Sequence, residues 1–158
     1  CSSVRIATLW DALTLDLGDN PQESIPMLKG LRMSQARIVA LMANIYEVPA
    51  GKRIIHADEK GKEMFVVIEG VLRTSIDRKN GRIELATHSR GDVVGEAGLF
   101  HERRTADVDV LEDARLLRFT QTNLNRLARR YPFIATRVFR NLNAILAERL
   151  FKTTHRLV

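Results

Sequence analysis

Residues Gly91 to Val108 read GDVVGEAGLFHERRTADV. Gly91 and Asp92 make a turn into a short apolar strand, Val93 and Val94. Gly95 has no Cβ and lets backbone approach a ligand closely. Glu96 follows it, and Ala97, Gly98, Leu99 and Phe100 read as one tight helical turn whose free N–H groups suit an anion. Arg104 brings a forked, permanently charged donor, and Thr105 adds a short hydroxyl beside it. A carboxylate accepts bonds from hydroxyls and repels phosphate. Glu96 therefore suits a sugar hydroxyl, while Arg104, Thr105 and the turn amides suit a phosphate. An ordinary Glu96–Arg104 ion pair with no ligand is the competing reading, and Arg103 reads as a surface charge. The stretch contains neither GxxxxGK[ST] nor GxGxxG, so it is not a phosphate loop of the hydrolase type or a dinucleotide fingerprint.

Upstream, the period is that of strands. Short strands are expected at Tyr46–Val48, Arg53–His56, Glu63–Glu69, Val71–Asp77 and Arg82–Ser89, and downstream at Arg104–Val110 and Ala114–Phe119. Glycine-bearing turns separate them, and Lys79-Asn80-Gly81 signals a tight hairpin. Met64 to Ile68, MFVVI, is apolar throughout and reads as a central strand. Helices flank this region. Ser34 to Ile45 carries Ile38, Leu41, Met42 and Ile45 at helical spacing, with Ser34 as the expected cap. Asn123 to Arg130 forms a second helix. Pro132 suits the first turn of a third, about Phe133 to Thr154, with a stripe of Ile134, Val138, Leu142, Ile145 and Leu150. That helix is broadly apolar, so part of it is expected to pair with a second copy of the chain.

The 158 residues suffice for one domain with a real core, and 45% hydrophobic with 28% charged residues is globular composition. Cys1 is the only cysteine, which excludes a disulfide framework and a thiolate metal site. His56, His88, His101 and His155 lack metal-ligand spacing, so neither a metal nor an enzyme is expected. The net charge of +6 is concentrated late: Arg115 to Val158 holds ten Lys or Arg residues and one acid, Glu148. A solvated helical face explains that charge. Direct nucleic-acid binding is disfavoured, because aromatic and basic residues do not interleave. With no apolar run of membrane length, a cytoplasmic domain is expected, touching a membrane only through an attached domain.

GDVVGEAGLF followed by RTADV resembles the phosphate-binding cassette of the cyclic nucleotide-binding domain family, and VPAGKRIIHADEKGKEMFVVIEGVLRTSI resembles its opening strands. The likeness covers about Met33 to Leu150. It implies a mainly β fold with flanking helices, an eight-stranded antiparallel jelly-roll β-barrel with one helix before and two after. It also implies cyclic AMP or cyclic GMP as ligand, with no metal. By that resemblance Glu96 bonds the ribose and Arg104 the cyclic phosphate, with Thr105, Gly95 and Ala97 beside them. Arg149-Leu150 resembles the family's Arg-Leu pair on the long helix, which puts Thr153 and Thr154 against the base. Val94, with Val71, Ile83 and Leu85, is expected to supply apolar lining.

The expected organisation is an N-terminal extension or upstream remnant over residues 1–32 and a cyclic nucleotide-binding domain over 33–158. No winged helix-turn-helix of the family's transcription factors lies in this sequence. The expected function is therefore a non-enzymatic regulatory domain that binds a cyclic nucleotide, cyclic AMP ahead of cyclic GMP. Its C-terminal helices would report occupancy to an effector domain upstream in a longer protein, or to a partner. The alternative is a structural or protein-interaction barrel that no longer binds nucleotide.

Overall fold

A computed structural model describes residues 25–96 and 104–157, with side chains through Arg149. A single 3-10 turn, Pro26–Leu28, leads to helix α1, Met33–Leu41. Six strands follow: β1 Asn44–Val48, β2 Arg53–Ile55, β3 Glu63–Arg78, β4 Gly81–His88, β5 Val93–Val94 and β6 Asp107–Thr120. Helices α2, Gln121–Arg130, and α3, Pro132–Leu157, close the order. Among the described residues one helix precedes the strands and two follow them, which is the expected arrangement.

The expected eight-stranded barrel is not what forms. The strands make one six-stranded antiparallel sheet in the order β1-β6-β3-β4, with β2 on β6 and β5 on β3. Two expected pairs of strands are single long strands. Glu63–Glu69 and Val71–Asp77 are both β3, because the chain passes Gly70 through register shifts between Val67 and Leu72 rather than through a turn. The segments expected at Arg104–Val110 and Ala114–Phe119 are both β6, which starts only at Asp107. Bulges of this kind bend a strand without ending it. The bent β3 and β6 give the sheet two ends, β1-β6-β3-β5 and β2-β6-β3-β4. Among the described residues the edge strands β1, β2, β4 and β5 do not pair with one another, so the sheet stays open.

MFVVI is central, as its composition requires. Met64, Val66 and Ile68 point into a core shared with the helices, which includes Val39, Leu117, Phe119, Leu127 and Val138. Phe65 and Val67 point the other way, onto Val48, Ile55, Leu72, Val108 and Leu116. Alternation along a strand buries both faces when each has a core of its own. Ile25, Met27 and Leu28 join the helix-side core, and Asn141 on α3 donates to Met27 O and Lys29 O, both at 2.9 Å.

Helix ends follow local hydrogen bonding. Asn44 already belongs to β1, so α1 is shorter than its apolar spacing suggests. Its cap is Arg32, not Ser34: the Arg32 N–H donates to Gln35 Oε1 at 2.9 Å. Thr120 caps α2 by accepting from the Asn123 N–H at 3.0 Å, and Asn123 Oδ1 accepts the Thr120 N–H in return. The β3–β4 hairpin pairs Arg78 with Gly81, so its two turn residues are Lys79 and Asn80. At the β2-β6-β3-β4 end, charge ties the strands together. Arg53 Nε donates to Asp109 Oδ1 at 2.7 Å, and Arg82 Nη1 donates to Asp107 Oδ2 at 3.0 Å and to fully buried Ser75 at 2.7 Å.

Candidate functional site

β5 is two residues long and pairs with Phe65 and Val66 of β3, which delivers Gly95 and Glu96 to the sheet interior. Gly95 sits at φ +78°, and a Cβ there would meet Ile55 Cδ1 at 2.8 Å and Arg104 Nη1 at 3.0 Å. Glycine is thus required twice over, by conformation and by space.

Arg104 enters just before β6 and is 7% exposed. Its backbone is clamped to the loop after β2: its N–H donates to Glu59 O at 2.9 Å, and its carbonyl accepts from the Asp58 N–H at 2.8 Å. Its side chain donates from Nη1 to Gly95 O at 2.7 Å and from Nη2 to Glu63 O at 2.5 Å. Gly61 makes room for it, since a Cβ there would lie 2.5 Å from Arg104 Nε. Burial pushes the Arg104 guanidinium below its ordinary value, while Glu63 and Glu96 push it back up. It remains a fixed cation, with two of its donors held by carbonyls.

Glu96 is 5% exposed. Its ion-pair partner is Arg149 on α3, which donates from Nη1 to Glu96 Oε1 and from Nη2 to Val93 O. Glu96 Oε2 is buried and has no hydrogen-bond partner among the described residues. A buried acceptor left empty is destabilising by about 1–3 kcal/mol, so it is a standing invitation to a hydroxyl or amine donor.

Gly95, Arg104 and Arg149 share a cavity of about 110 Å³ with walls from β2, β3, β4, β5, β6 and α3. Ile55, Val94, Ala106 and Val108 supply apolar surface; Arg104, Thr105, Thr74, His88 and Arg149 supply polar groups. Thr74 Oγ1 and His88 Nε2 share a hydrogen bond of 2.7 Å. Burial, then the nearby Arg149, pushes the His88 imidazole below its ordinary range; Asp92 and Glu96 oppose that.

Val94, Gly95, Arg104 and Thr105 line this one cavity, and Glu96 joins it through Arg149. Ala97 and the turn after it lie outside the described residues. Thr153 and Thr154 are on α3, beyond the described side chains. Ile83 and Leu85 do not line the cavity: they are 47% and 40% exposed on edge strand β4. Val71 does not line it either. Sequence reading missed His88 and Thr74 as lining, and it noted Arg149 only as half of an Arg-Leu pair. Among the described residues no group of His, Cys, Asp and Glu could hold a metal, and no helix is long and apolar enough to cross a membrane.

Known proteins share this architecture. The family model described as the cyclic nucleotide-binding domain matches residues 46–131. The catabolite activator protein of Thermus thermophilus superposes with a TM-score of 0.75 at 28% identity, over 84% of this chain and 61% of that one. A cyclic nucleotide-binding domain from Methylobacillus flagellatus superposes with a TM-score of 0.77 over 87% of this chain and 83% of that one; at 16% identity it speaks for the fold alone. Patatin-like phospholipase domain-containing protein 7 of Rattus norvegicus is 33% identical over 94 residues, 58% of this chain but 7% of that protein's length. The chain has the fold of a regulatory, non-catalytic domain. With the family model matching more than half of its residues, the chain belongs to the cyclic nucleotide-binding domain family.

Proposed function

We propose that this domain binds a cyclic nucleotide, cyclic AMP ahead of cyclic GMP, in the cavity between Arg104 and His88. The observation that carries the reading is a pair of buried, opposite charges at one cavity: Arg104 lines it beside Thr105 for the phosphate, and Glu96, held by the lining Arg149, has an Oε2 without a partner among the described residues for a ribose hydroxyl. Gly95 brings the backbone close to the phosphate, and Val94 packs on the sugar. The preference for cyclic AMP rests on Thr153 and Thr154, which follow Arg149 on α3.

Occupancy is transmitted by the shared carboxylate. The cavity is smaller than the roughly 300–1,000 Å³ of small-molecule pockets, so a nucleotide enters only if a wall moves. Arg149 makes α3 that wall. Ligand on Oε2 and helix on Oε1 then compete for one geometry of Glu96, and the two equilibria are linked. The output is an effector domain in a longer protein, or a second copy of the chain. A groove on α3 lined by Phe139, Leu142 and Leu146, near the 89%-exposed Phe133, supports the second.

Calorimetric titration of the chain with cyclic AMP and cyclic GMP tests the reading. Saturable binding below millimolar, tighter for cyclic AMP, is expected; no heat up to millimolar sinks it. That negative result would favour a structural or protein-interaction domain, the reading the small cavity and the Arg149–Glu96 pair support.

A further inference from the structure

Thr74, His88, Arg104, Thr105 and Arg149 supply the polar lining of one cavity, and Arg149 also holds the Glu96 carboxylate. Thr74 Oγ1 and His88 Nε2 are joined by a 2.7 Å hydrogen bond. The strand pairing explains the contact: Thr74 on β3 lies opposite Ala86 on β4, and His88 is the next residue on the same face.

A cyclic nucleotide brings a phosphate, a ribose and a base. With its phosphate on Arg104 and Thr105 and its ribose on Glu96, which Arg149 holds, the polar lining left for its base is the Thr74–His88 pair. We propose that the Thr74–His88 pair reads the exocyclic group on the edge of that base, an inference that rests on the cyclic-nucleotide reading above.

The chemistry of the pair suits the task. Apolar contact with a base would need only residues like Ile55, Val94 and Val108, which the cavity already has. A threonine bonded to an imidazole adds polarity that can be aimed either way. When the Thr74 hydroxyl donates to a bare Nε2, its oxygen is left to accept from an amino group. When Nε2–H donates to Thr74 Oγ1, the hydroxyl proton is left for a carbonyl. The first arrangement requires a neutral ring, which burial and the neighbouring Arg149 favour against Asp92 and Glu96; the second requires only a proton on Nε2. Neither arrangement leaves the pair itself unsatisfied.

The test is a titration of the chain and of its Thr74→Val, Thr74→Ser and His88→Leu variants at neutral pH. The probes are cyclic AMP, cyclic GMP and the cyclic monophosphate of unsubstituted purine riboside, which lacks an exocyclic group. Thr74→Val and His88→Leu are expected to weaken cyclic AMP by about tenfold and to leave the unsubstituted purine within about threefold. Thr74→Ser, which keeps the hydroxyl, is expected to keep the wild-type ratio. Equal losses for all three probes would show that the pair only packs the wall and would overturn the proposal, as would unchanged affinities in Thr74→Val. Should the unaltered chain bind none of the probes, the cyclic-nucleotide reading fails and this inference falls with it.

Discussion

Arg149 on α3 donates to Glu96 Oε1, 53 residues earlier in the chain, while the other oxygen of the same carboxylate is buried with no partner among the described residues. One side chain thus joins the last helix to the interior of the sheet and still has capacity for a ligand. Arg149 is 38% exposed at its side chain and Glu96 only 7%, so the acid is the partner that depends on the bond.

That asymmetry predicts strong coupling. Arg149→Ala leaves a buried carboxylate without its cation, and Glu96→Gln removes the charge that needed one. In a double-mutant cycle by chemical denaturation, the double variant is expected to lose less stability than the sum of the singles, by about 1–3 kcal/mol. Additive losses would mean that the pair contributes nothing beyond packing.

Arg104 is fixed before any ligand arrives, by Gly95 O and Glu63 O. Arg104→Ala is expected to weaken cyclic AMP by about a hundredfold or more, the equivalent of two charge-assisted bonds at about 1.5–3 kcal/mol each. Arg104→Lys keeps the charge but not the fork, and is expected to fall between wild type and Arg104→Ala. Arg103→Ala is expected to change little. Equal losses from Arg103→Ala and Arg104→Ala in the same titration would refute the assignment of the phosphate to Arg104.

Gly95→Ala strains the backbone at φ +78° and drives a methyl into Ile55 and Arg104. Thermal unfolding is expected to show a loss of more than about 1 kcal/mol, with a parallel loss of nucleotide affinity because Arg104 is displaced. A stable variant with intact affinity would show that the turn can relax.

Asp107, Asp109 and His88 are all held below their ordinary values, and of these Asp109 and His88 show signs that agree in direction. The Arg53 hydrogen bond, helped by nearby arginine charge, holds the Asp109 carboxyl below the ordinary carboxylate value of about 3.9, so its stabilisation is present above that pH and lost as pH falls through it. His88 is also depressed, but it is a base. Below its ordinary value of about 6.5 the unfolded chain takes up a proton that the folded ring resists, and stability falls there too. Denaturation midpoints from pH 7.5 to 3 are expected to decline in two stages. His88→Leu is expected to flatten the first stage and Asp109→Asn the second. A variant that leaves its own stage unchanged would show that other groups govern it.

Local chemistry explains which features the sequence disclosed. MFVVI has to be central because it has no polar face, and Thr120, Pro132 and the Lys79–Gly81 segment act within a few residues of themselves. Gly70 misled, because a glycine that bends a strand at a bulge reads the same as one that ends it. The count of strands failed there and at Leu111–Asp113, which β6 simply continues through, and the barrel that the resemblance implied failed with it. Ile83 and Leu85 have strand propensity but lie on an edge, where alternation does not say which side is inside. In the site, Gly95, Glu96, Arg104 and Thr105 were legible because they are close in sequence. Thr74, His88 and Arg149 were not, because only the β3–β4 register and the docking of α3 bring them to the cavity.

The docking of Arg149 bears on where this domain can be cut. The family model spans residues 46–131, so it stops before α3 begins. A biosensor or fusion module trimmed to those limits would keep β2 to β6 whole but cut into β1, and it would lack both α1 and the side chain that holds Glu96. Such a fragment is expected to serve as a scaffold with an incomplete receptor. Its transplantable unit has to run through the long helix at least to Arg149.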